Sequence, residues 1–233
     1  MRAKILSAAL FLAAAAFAVV VPGFVRAQQI VDRIVVRIED DILTQSDLDQ
    51  LAAYQKLVAG SADTNDRLTQ ELIEQWIVNS EAQAAHFPSA PETEVASDIA
   101  DIEKKFPALD AYRARLAELG LSADDVHQMV ARQTYLERYL DSKFRDSVQI
   151  DPKDVGKYYN EQLVPELQKQ GQAVPALGEV QDHIRELLTE QQINRLADQW
   201  LDESKGRLRI EIIPPPVAAP NPSEASQSGG APK

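Results

Sequence analysis

The chain of 233 residues contains no cysteine. Disulfides and thiol catalysis are therefore excluded, and so is a lipid anchor on a leading cysteine. Glycine is scarce, with 9 residues, and none falls in a phosphate-cradling loop or a G-x-S-x-G elbow. The three histidines, His86, His127 and His183, lie far apart and in no metal-ligand spacing, so each reads as a helix-borne side chain without catalytic or metal duty. Aromatic residues make up only 6% of the chain. Long apolar runs are also missing, with one exception at the start.

That exception covers residues 5–21, apolar apart from Ser7 and preceded by Arg2 and Lys4. Pro22 and Gly23 follow, then Val25-Arg26-Ala27 with small or aliphatic residues at the two positions a signal peptidase reads. As a helix the run reaches about 25 Å, short of a roughly 30 Å hydrocarbon core. The expectation is a secretory signal peptide over residues 1–27, cleaved between Ala27 and Gln28, which leaves no stable membrane anchor.

The whole chain has 24 basic and 36 acidic residues, a formal charge of −12. Loss of Arg2, Lys4 and Arg26 leaves 21 basic residues against 36 acidic ones, or −15. Such a surface repels nucleic acid and anionic lipid. Pairs such as Asp40-Asp41 and Asp124-Asp125 read as turn and cap residues.

Along the rest of the chain, Ile34, Val36 and Ile38 alternate with Val35 and Arg37, as in a half-buried strand. Residues 39–41 supply a turn and Ile42-Leu43 a return strand. Thr44 with Asp47, and Ser122 with Asp125, have the spacing of acidic capping boxes. Asp151-Pro152 places a cap and then proline at the first helical position. The spacing predicts helices over residues 45–58, from 65 to about 87, and on to about 105. A short helix opened by Pro107 and closed by Gly120 follows, then one over about 123–144. A sixth runs from 152 until it fades near Gly171, and a last one spans about 178–205. Leu208, Ile210 and Ile212 then alternate with polar residues as a closing strand.

The expected fold is mainly α, a multi-helix body with a small β-sheet pairing the N-terminal hairpin with the C-terminal strand, because neither is stable alone. Residues 214–233, rich in proline, alanine and serine, are expected to be a disordered tail.

Three segments resemble the SurA family of periplasmic chaperones. Residues 30–48 (IVDRIVVRIEDDILTQSDL) are similar to its opening strand, acidic turn and first helix. Residues 150–155 (IDPKDV) with Tyr158-Tyr159 are similar to the helix that ends its N-terminal region. Residues 180–212, with Ile184, Leu188, Gln191, Trp200, Leu201 and Ile210, are similar to its closing helix and strand. The relatives usually carry a parvulin-type prolyl isomerase domain of about 90 residues between the last two segments. Only residues 163–179 lie there, and the parvulin glycine-rich motif is missing.

The resemblance implies a chaperone body over residues 28–213, closed by the helix and strand of 178–213, without isomerase chemistry. It implies a soluble periplasmic protein that needs no cofactor and binds unfolded or partly folded exported polypeptides, outer-membrane proteins among them. Trp76, Phe106, Tyr112 and Tyr135 are the candidate client-binding residues, with core packing as the alternative for each. Two other functional readings stand beside it: an envelope adaptor holding one dedicated partner, and a prolyl isomerase working through an unrecognised site. No feature of the sequence specifies an oligomeric state.

Overall fold

The structure, a computed structural model, describes residues 32–215. The expected signal peptide with its Ala27-Gln28 junction, and all but the first two residues of the expected tail, lie outside the described residues.

Strand β1 (Ile34–Ile38) turns through Glu39 and Asp40 into β2 (Asp41–Thr44). Strand β3 (Ile210–Ile212) pairs antiparallel on the other side of β1, so the order is β2-β1-β3. The sheet joins the two ends of the helical body as expected. Strict alternation would send Val35 outward, yet both Val35 and Val36 are buried. The β1–β2 register shifts between Ile34 and Val36, and such a bulge re-aims neighbouring side chains.

Both capping boxes form. Thr44 opens α1 (Gln45–Val58) and exchanges hydrogen bonds with Asp47, and Ser122 does the same with Asp125 at α5 (Ala123–Phe144). Between them lie α2 (Asn65–Ala84), α3 (Glu92–Glu103) and α4 (Leu109–Leu119). Pro107 precedes α4 instead of opening it, and Ala108 is the N-cap. Gly120, at φ 70°, ends α4 and lets the Leu121 N–H return to the Leu116 carbonyl. The end of α2 is closed the same way, with His86 at φ 53° in the left-handed position and the Phe87 N–H returning to the Ala82 carbonyl.

The expected sixth helix is interrupted. Helix α6 (Pro152–Tyr158) passes through a π turn at Tyr159–Leu163 into α7 (Val164–Lys169). Asp151 caps α6 by accepting from the Lys153 N–H at 2.8 Å. Helix α8 (Leu177–Lys205) starts one residue early. Ala176 has no side-chain acceptor, but Glu179 reaches back to its N–H at 3.0 Å. The helix is about 44 Å long. Its first half packs on α6, and its second half reaches α2 and α5.

Among the described residues, most of the buried side chains gather in three apolar clusters. One joins β1 (Val36, Ile38), α2 (Ile73, Ile77), α5 (Leu136, Tyr139) and Leu201 of α8. A second joins α1 (Tyr54, Leu57), α3 (Val95, Ile102), α4 (Tyr112, Leu116) and the start of α5 (Val126, Val130). The third is the α1–α2 contact of Leu48, Leu51, Leu68 and Leu72. Helix α5 is common to the first two, and its 22 residues reach about 33 Å.

Candidate functional site

The three clusters approach one another between α1, α2 and α5 without merging, and an open cleft of about 410 Å³ remains there. A fully merged core at ordinary interior density would leave no such space. Its floor is apolar: Leu51 and Val58 come from α1, Val78 from α2, Met129, Leu136 and Leu140 from α5, and Leu201 from α8. The lining also contains Gln55 of α1, Glu71, Glu74 and Gln75 of α2, and Arg132, Gln133 and Glu137 of α5.

These polar groups are positioned by one another. Glu71 accepts from the side-chain amides of Gln55 at 2.8 Å and Gln75 at 3.1 Å. The carbonyl of Gln55 is fixed in turn by the Asp63 N–H at 2.8 Å. Across the cleft Gln133 donates to Glu137 at 2.8 Å and accepts from the Tyr54 hydroxyl at 3.0 Å. Burial raises the Glu71 carboxyl above the usual glutamate range, partly opposed by the two amides, and Asp63 and Glu74 add to the rise. Burial, aided by Glu137 and Asp98, pushes the Tyr54 phenol up to about 12, so its proton stays in place for Gln133 at neutral pH. Glu74 is paired with Lys205 at 2.7 Å. Among the described residues, neither Glu71 nor Glu137 has a cationic partner within 4.0 Å.

The four aromatic candidates are divided between two clusters, and none lines this cleft. Trp76 lies half-buried beside the sheet and donates its indole N–H to Asp41 at 3.0 Å. Tyr135 packs tilted against Phe87, with ring centres 5.8 Å apart, and lines a second opening of about 610 Å³ between the end of α2, the start of α3 and α5. Phe106 rests on Tyr112, 5.5 Å between ring centres, and Tyr112 is only 4% exposed. Tyr112 therefore serves the interior of the second cluster. The cleft itself is built mostly from leucine, valine, glutamine and glutamate, with Tyr54, Met129 and Arg132 among them, and in a sequence none of these residues marks a site by its type or spacing.

The histidines stay apart. His127 meets Glu92 at 2.9 Å on the surface, His86 ends α2, and His183 borders an apolar hollow between α6, α7 and α8. Among the described residues, no three His, Cys, Asp or Glu side chains come together as metal ligands. No helix among them is long and apolar enough to cross a membrane.

No family model matches the chain. Among curated proteins, it is similar to Chaperone SurA of Pseudomonas putida, with 27% identity over 142 residues. The match covers 57% of this chain and 33% of that protein, so it spans about a third of the relative's length. The similarity supports a distant relationship to that protein.

Proposed function

We propose that the protein is an ATP-independent periplasmic chaperone that binds unfolded or partly folded exported polypeptides and slows their aggregation. The observation that carries this reading is the cleft at the seam of the three clusters. Its apolar floor is left open by the chain's own side chains, as a site for transient apolar guests requires. The distant similarity to a chaperone points the same way. In this reading residues 1–27 are the export signal, residues 28–213 form the chaperone body, and no residue is assigned a catalytic role. Affinity is set by the apolar area covered in the cleft, less the cost of ordering the guest. A weak and reversible hold of this kind needs no nucleotide or cofactor.

Light scattering during dilution of a urea-denatured outer-membrane protein tests the proposal. Suppression of scattering at equimolar chaperone is expected, and no suppression at a severalfold excess would contradict it.

One observation favours the adaptor reading. Val174 and Leu177 are 37% and 36% exposed at the end of the α6–α8 region, beside an apolar hollow of about 480 Å³. A single stoichiometric partner bound there, in place of mixed unfolded guests, would distinguish an adaptor from a chaperone.

A further inference from the structure

The rim of the cleft has a charge imbalance that the fold leaves in place. Glu71 and Glu137 are held by glutamine amides, which orient a carboxylate without neutralising it. Glu74 is already matched by Lys205. Among the described residues, Arg132 is the only basic one of the lining. Glu71 is half-buried, and without a cation its carboxylate keeps part of its desolvation cost, which an incoming ammonium or guanidinium offsets as it binds; Glu137, exposed on the opposite rim, adds a second negative charge. Beside it the apolar floor rewards burial of leucine-sized side chains.

We propose that this cleft selects polypeptide segments in which a lysine or arginine lies next to large apolar side chains, with the apolar groups on the floor and the cation at the Glu71 and Glu137 carboxylates. The inference rests on the chaperone reading and adds to it the chemistry of the preferred guest. It also separates recognition from the general acidity of the chain. Bulk charge attracts cations over the whole surface and is screened within about 8 Å at physiological salt, whereas the rim acts at contact distance on a partly desolvated group.

The test is fluorescence anisotropy at about 0.15 M salt, using the purified full chain and three fluorescein-labelled peptides of equal length. One is built of leucine and lysine, one has every lysine replaced by glutamine, and one has every lysine replaced by glutamate. The lysine peptide should bind about five- to tenfold more tightly than the glutamine peptide, the range expected of a partly desolvated ion pair. The glutamate peptide should bind most weakly. In the double variant E71Q/E137Q the lysine preference should fall to about twofold or less. The control E161Q/E190Q removes two carboxylates from exposed positions outside the cleft and should keep the preference. Thermal melts of both variants establish that they fold.

Equal affinity for the lysine and glutamine peptides overturns the inference. So does a preference that survives in E71Q/E137Q, or one lost equally in the control. If aggregation is still suppressed while the preference is absent, the inference falls and the chaperone reading stands. If no peptide binds and aggregation is not suppressed, both fall.

Discussion

Glu71 sits where two demands conflict. Its carboxylate ties α1 to α2 through Gln55 and is braced within α2 by Gln75, yet burial raises its pKa and so penalises the charged form that accepts those bonds best. The direction of the resulting pH dependence follows from linkage. Below the ordinary glutamate value of about 4.3 the group is protonated in folded and unfolded chains alike. As pH rises, the unfolded chain loses this proton first, because the folded value is the higher one. Ionisation therefore costs folded stability until pH passes the folded value. In E71Q this slope is gone, and Gln75 can turn its carbonyl toward the new amide. The stability difference between E71Q and wild type should shift in favour of E71Q as pH rises from about 4 to about 7. Thermal melts across that range check it, and a flat or opposite trend would contradict the assignment. Carboxylates with lowered values, such as Asp125 beside the Ser122 hydroxyl and N–H, lose stability on acidification. They do so in both proteins and cancel from the difference.

At the scale of elements, the helix starts rest on a few polar side chains. The Ser122 hydroxyl accepts the Asp125 N–H at 3.0 Å, and Asp125 accepts from the Ser122 N–H at 2.7 Å. Ser122→Ala removes one half of this box from α5, the helix shared by two clusters. A loss of about 1 kcal/mol and a fall in Tm of about 2–4 °C are expected by urea and thermal denaturation. An unchanged Tm would show that tertiary packing alone sets where α5 begins. Starts of this kind are legible in the sequence because the signal is local: Thr44 with Asp47, Ser122 with Asp125, and Asp151 before Pro152 all open helices as their spacing predicts. Signals that depend on neighbours were less legible. Near the end of α2, Ala84 is exposed and Ala82 is fully buried, a difference set by which sides of the helix its neighbours cover and not by residue type. The π turn at Tyr159–Leu163 has no counterpart in the periodicity. It lies beside the Tyr159 hydroxyl bond to the Pro175 carbonyl at 2.6 Å, a contact made by the return of α8.

The whole molecule ties its ends together. Strands β1 and β3 are separated by nearly the full length of the helical body, and their pairing brings α8 back against α2 and α5. This closure places Leu201 at the cleft floor opposite residues of α1. The cleft is thus assembled from one neighbouring helix pair, α1 and α2, and from α5 and α8 far along the chain, which is why it was invisible before folding while the sheet and helices were not. The aromatic candidates illustrate the same point. Tyr112 and Phe106 pack on each other, Trp76 and Tyr135 border the sheet cluster, and the open space formed where the clusters failed to merge. The central claim is that unfolded chains are held in that space. A photo-crosslinking residue placed singly at Met129 or Gln75 in the cleft, at Gln128 on the exposed side of α5, or at Gln168 on α7 tests it against a urea-denatured outer-membrane protein diluted into the reaction. The account predicts adducts from Met129 and Gln75 and little from Gln128 or Gln168; equal labelling at all four, or adducts concentrated at Gln168, would contradict it.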